Sequence, residues 1–168
     1  MSARNNPQRV LELKQTRPMA RQYVLLEEGL EVGWLQFLKA FGSLAEMGSK
    51  GKSFTLKRVG FLRPMVTVRK KDLEEDIAYV KFERSWGVKC TLELLNGGTI
   101  EMRGPTLRDS NWTFYQSDGD LMVFSYKQKL LCVEGTCQIL KESAWIDPIM
   151  LSLIGWYLII LILMEKVS

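Results

Sequence analysis

The sequence predicts a mainly β fold, a closed antiparallel barrel of about twelve strands around a central hydrophobic C-terminal α-helix. Two observations carry this reading. From Arg21 to Leu140 short β-rich segments are separated by turn residues about every 8–12 positions, the rhythm of a sandwich or barrel. The chain then closes on its one strong helical segment, Ile149 to Met164, which is apolar on every face. A helix without a polar face has to be enclosed, by protein or by lipid.

Taken in order, residues 1–20 read as a loose basic N-terminal arm, with Arg4, Arg9, Lys14 and Arg17 against Glu12 and with Pro7 and Pro18 near its ends. The barrel domain is expected over 21–168. Gln22 to Leu26 is the first strand, stopped by Glu28-Gly29. Leu30, Val32 and Trp34 alternate in the second, which runs on to Phe37, and Gly42 to Met47 is a weaker third. Gly48 to Ser53 reads as a loop. Phe54 to Val59 alternates as a strand, Met65 to Arg69 follows Pro64, and Lys70 to Asp76 is a charged loop. Ile77 to Glu83 leads to a turn at Ser85-Trp86-Gly87.

Cys90, Leu92 and Leu94 alternate with Lys89, Thr91 and Glu93, a strand buried on one side. Asn96-Gly97-Gly98 is a hairpin turn, because glycine and asparagine tolerate the positive φ such turns need. The chain returns through Thr99 to Arg103 and breaks at Gly104-Pro105. Trp112 to Gln116 and Leu121 to Lys127 form a hairpin around Ser117-Asp118-Gly119-Asp120. Leu130 to Val133 and Thr136 to Leu140 are expected as another, around Glu134-Gly135.

The helix is expected over 148–164. Asp147 can accept hydrogen bonds from the first free N–H groups, and Pro148 suits the first helical position. The run from Ile149 to Met164 is roughly 24 Å long at 1.5 Å per residue. A bilayer core is about 30 Å thick. Spanning helices gather Trp and Tyr at their two interfaces, whereas Trp156 and Tyr157 sit at the midpoint of this run. A barrel core can supply partners for an indole N–H and a phenol O–H. Gly155, which costs about 1 kcal/mol against alanine inside a helix, is explained if another backbone passes close by. The helix is therefore read as the filling of the barrel. The alternative is a tail-anchored membrane protein with a small cytoplasmic β domain.

This arrangement, with its closing Pro-Ile-Met-Leu-Ser-Leu-Ile-Gly-Trp-Tyr-Leu helix, resembles the tubby C-terminal-like superfamily. The phospholipid-scramblase and LURP-one-related branches are nearest in size. The resemblance covers Arg21 to Met164 and rests on architecture and strand rhythm. It implies a twelve-stranded barrel around a central helix, and a binding module for phosphoinositides or other acidic lipid headgroups. Scramblases carry an acidic calcium-binding segment near the helix. Here Lys141 to Asp147 holds two acids, so a calcium loop is not expected.

The totals narrow the chemistry. The 168 residues suit one domain, with 46% hydrophobic and 25% charged residues. There is no histidine, which removes His-based triads and general bases and most zinc sites. Cys90, Cys132 and Cys137 form no CxxC pair and read as core thiols. Met1 to Met19 lacks the apolar stretch of a secretory signal. A cytoplasmic protein, peripheral at the membrane, fits both facts. The net charge of +4 is too small to imply nucleic acid.

No catalytic constellation, metal site or cofactor motif stands out. Gly51-Lys52-Ser53 looks like the end of a P-loop, but the motif needs a glycine where Glu46 stands and a helix where Phe54 begins a strand. The remaining candidates are basic. Lys50, Lys52, Arg69, Lys70 and Lys71, beside Lys57, Arg58 and Arg63, are a candidate site for an acidic headgroup, each near-surface cation contributing about 1 kcal/mol. Asp72, Glu74, Glu75 and Asp76 oppose that charge. The expected function is a non-enzymatic binding module whose partner is an acidic lipid surface or another protein, with no small-molecule substrate evident.

Overall fold

Alternation with a period of two sends one side of each strand inward, and twelve strands close on themselves around the apolar tail. The computed structural model describes residues 8–83, 89–129 and 132–165. The strands are β1 (Arg9–Gln15), β2 (Gln22–Glu27), β3 (Leu30–Phe37), β4 (Ala45–Ser49), β5 (Lys52–Val59) and β6 (Met65–Lys70). They continue as β7 (Asp76–Glu83), β8 (Lys89–Leu94), β9 (Thr99–Arg103), β10 (Trp112–Gln116), β11 (Gly119–Lys129) and β12 (Cys132–Ile139). Each pairs antiparallel with the next, and β1 pairs with β12 to close the barrel. Closure leaves no free sheet edge among the described residues.

The expected fold class is therefore found. The helix α1 (Pro148–Glu165) lies inside, buried from Ile149 through Ile162 save for the half-buried Met150. Its 18 residues give a length of roughly 27 Å. By length and composition it would also suffice to cross a membrane. Here its apolar surface meets the inward residues of the strands, such as Leu25, Leu35, Val68, Val80, Leu92 and Phe124.

The helix start follows the expected chemistry. The Asp147 carboxylate accepts from the N–H groups of Ile149, at 3.0 Å, and Met150, at 3.2 Å. Midway, two rings and a glycine interlock with the wall. Trp156 meets Phe124 edge-on, with centroids 5.2 Å apart, and Phe124 meets Phe114 in the same way. Gly155 is close-packed as expected, but its neighbours are the rings of Phe124 and Phe114, not a backbone. Tyr157 stacks on Phe37 and donates its hydroxyl to the Ser43 carbonyl at 2.7 Å. The phenol thus finds its partner. The indole does not, since Trp156 Nε1 is buried without an acceptor among the described residues.

Three local expectations are corrected. Residues 9–15 are not a loose arm. Leu11 and Leu13 are buried, Glu12 and Lys14 face water, and the strand is stitched between β12 and β2. Its start is held by Arg9, which pairs with Glu27 at 2.7 Å and Glu142 at 2.8 Å. The third strand is displaced, with Ala45–Ser49 in place of Gly42 to Met47 and the turn at Lys50-Gly51, both at positive φ. Glu134-Gly135 is not a turn, because β12 runs straight through it, with Gly135 opposite Tyr126 and Leu13. In the second strand, Gly33, Leu35 and Phe37 point inward, while Trp34 lies outside across Gly48. The expectations placed on residues 1–7, on Ser85-Trp86-Gly87 and on Leu130 and Leu131 lie outside the described residues.

Candidate functional site

The helix gives the barrel two unlike ends. At the entry end, Asp147 and Pro148 start α1, and the loops are 28–29, 50–51, 71–75, 95–98, 117–118 and 140–147. At the exit end α1 finishes at Glu165, among the loops 16–21, 38–44, 60–64 and 104–111. Arg58 pairs with Glu165 there, and Arg21 reaches Met164.

The predicted basic residues gather at the entry end. Lys50 lies in the β4–β5 turn, Lys52 opens β5, and Arg69 and Lys70 close β6, followed by Lys71. Three of the five are ion-paired. Lys50 meets Asp147 at 3.4 Å, Lys71 meets Glu46 at 3.1 Å and Arg69 meets Asp76 at 2.7 Å. The Arg69 guanidinium holds the Asp76 carboxyl below its ordinary value against the opposing push of burial, and the Tyr79 hydroxyl adds to the lowering. Lys52 and Lys70 are exposed. Arg58 and Arg63 are not part of this group. They lie toward the exit end, the length of β5 away, on the order of 20 Å at about 3.3 Å per residue.

Charge divides the two ends. The entry loops hold Glu28, Asp72, Glu74, Glu75, Asp118, Glu142 and Asp147 against Lys50, Lys71 and Lys141. The described exit loops hold Arg17, Arg21, Lys39, Arg63 and Arg108 against Asp109 alone. The barrel therefore carries a positive end and a negative end.

Apolar exposure reinforces the difference. Phe41 is 91% exposed and Phe61 is 97% exposed, and Met19 and Leu107 also project into water. These four side chains stand on the four described exit loops. The entry end exposes Leu30, Leu73, Leu95, Leu140 and Trp145 too, but on loops with an excess of carboxylates. The exit residues are scattered along the chain, so no cluster of neighbouring charges marks them in the sequence. The available signal was a large apolar side chain inside a turn, as in Ala40-Phe41-Gly42 and Gly60-Phe61-Leu62-Arg63-Pro64, where no strand claims it.

Among the described residues no three His, Cys, Asp or Glu side chains gather as a metal site. Burial pushes the thiols of Cys90 and Cys137 up to about 12, which keeps them protonated and poor nucleophiles at neutral pH.

Comparison with known proteins finds no matching family model, no matching curated protein and no matching solved structure.

Proposed function

We propose that this chain is a non-enzymatic binding module that docks end-on against acidic lipid surfaces, through the end where the core helix finishes. The observation that carries the reading is the coincidence, on the described loops of one end of the barrel, of exposed Met19, Phe41, Phe61 and Leu107 with five basic residues and one acid, the Glu165 carboxylate beside them being paired with Arg58. Each basic residue near an anionic surface contributes about 1 kcal/mol, and each apolar tip adds to this in proportion to the area it removes from water. The entry end, with its excess of carboxylates, is repelled by the same surface. The resemblance to the tubby-like barrels points to the same class of ligand. The reading also supports a cytoplasmic protein held peripherally at the membrane, with α1 as core.

The test is co-sedimentation with phosphatidylcholine vesicles that do or do not contain phosphatidylserine. Binding is expected only with the anionic lipid, and is expected to weaken as salt shortens the screening length. The double substitution Phe61→Ser, Leu107→Ser is expected to reduce binding by about tenfold or more, since two apolar contacts of about 1 kcal/mol each are lost. If the full chain ignores anionic vesicles, or if the tip variant binds them as well as the parent, the reading fails and a protein partner becomes the better candidate.

A further inference from the structure

The exit end also opens into a cavity of about 910 Å³, at the upper part of the roughly 300–1,000 Å³ usual for small-molecule sites. One wall is the last turns of α1, with Ile160, Leu161 and Leu163. The other includes Tyr23, Phe41 and Val133. At its edge sits Arg21, whose guanidinium lies 4.3 Å over the Phe37 ring. It donates to the carbonyls of Gly42, at 3.0 Å, and Lys39. No carboxylate pairs with it among the described residues, and its Nε is buried without an acceptor. Burial pushes this guanidinium below its ordinary value, with only Tyr23 and Tyr157 opposing. The other cations that line the cavity are already neutralised, Arg58 by Glu165 and Lys129 by Glu134 at 3.3 Å.

A half-buried cation without a counter-charge, at the edge of an apolar hollow, is complementary to one kind of molecule. We infer that the cavity takes a single anionic amphiphile, with its hydrocarbon chain against α1 and its carboxylate or phosphate on Arg21. Nη2 is taken by the Gly42 carbonyl and Met164 Sδ, whereas Nη1 donates to Lys39 and keeps a second N–H for the anionic group, a charge-assisted hydrogen bond. The cavity opens on the docking face, so the inference rests on the docking reading for where the ligand is collected. The chemistry is shared by a free fatty acid and by a phospholipid with an anionic head.

The experiment titrates the full chain with oleate below its micellar concentration, and in parallel with oleyl alcohol. Oleate is expected to bind at least about tenfold more tightly than the alcohol, the effect of one charge-assisted hydrogen bond. Arg21→Gln is expected to remove that preference, and Leu163→Trp to weaken both ligands by narrowing the cavity beside α1. Phe61→Ser, Leu107→Ser is expected to leave oleate binding unchanged while weakening vesicle docking. Vesicles containing phosphatidic acid then separate the sources, since a membrane lipid competes with oleate and a pure fatty-acid site does not respond. Absence of oleate binding, or equal affinity for oleate and alcohol, overturns the inference while leaving the docking reading standing. Oleate binding without any vesicle docking overturns the docking reading alone. If Arg21→Gln does not fold, the oleate and alcohol comparison on the parent still decides.

Discussion

The indole of Trp156 occupies the space that a side chain on Gly135 would need: a Cβ built at Gly135 falls 2.2 Å from Trp156 Cη2. The ring is clamped from another side by Phe124, so it cannot swing aside cheaply. Gly135→Ala is therefore expected to destabilise the barrel by about 1–3 kcal/mol through overpacking. Trp156→Phe in the same chain is expected to return part of that loss, so the two substitutions are non-additive. Chemical denaturation of the two single variants and the double variant checks this; additive losses would show that the contact is unimportant.

That contact also explains an error in reading the sequence. Glu134-Gly135 carries the composition of a turn, yet the glycine is a recess in the wall for a ring that lies some twenty residues later in the chain. Local rules see the missing side chain and not what fills the space. The strand Arg9–Gln15 is faint for a similar reason: Val10, Leu11 and Leu13 suit a short strand or a helical turn equally. Its outward face is charged and its partners are β2 and the distant β12, so only Leu11 and Leu13 betray it. By contrast, the core helix was legible from first principles. All-round apolarity, a capping Asp147, and Trp156 and Tyr157 far from either end mark the helix, and the run of strands before it places it inside a barrel. The exit-end surface was not legible, because Met19, Phe41, Phe61 and Leu107 are brought to one rim only by the topology.

The helix cap is a second measurable element. Asp147 satisfies the N–H groups of Ile149 and Met150, with Pro148 between in the position where no N–H is required. Asp147→Ala is expected to lower stability by about 0.5–2 kcal/mol, and Asp147→Asn by less, because the amide oxygen can still accept. Thermal unfolding of both variants at equal ionic strength distinguishes the cap from the exposed Lys50 ion pair, which screening by salt removes.

Stability is expected to fall as the solution becomes alkaline. Cys90 and Cys137 ionise near 9.0 when unfolded, and burial raises them to about 12 in the barrel. Above pH 9 the unfolded chain has released protons that the folded chain keeps, so equilibrium shifts toward unfolding. The stabilisation is complete below about pH 9 and is lost between 9 and 12, at up to about 1.4 kcal/mol per pH unit for each thiol. Denaturant midpoints measured across that range should flatten when both are replaced by alanine. A slope that persists unchanged would assign the effect to other groups, with Tyr157 the first to examine, since burial raises it too.

This arrangement joins a buried helix to a docking end, and amide hydrogen exchange with and without phosphatidylserine-containing vesicles reads both at once. In detergent-free buffer the amides of α1 between Leu151 and Leu161 should be among the slowest to exchange, because opening them requires opening the barrel. On vesicles, protection should rise in loops 16–21, 38–44, 60–64 and 104–111, with α1, the barrel strands and the Lys50 to Lys52 turn unchanged. Protection gained instead around Lys50, Lys52 and Lys70, or inward strand residues such as Leu35 and Val80 losing protection as the helix leaves them for the bilayer, would contradict it.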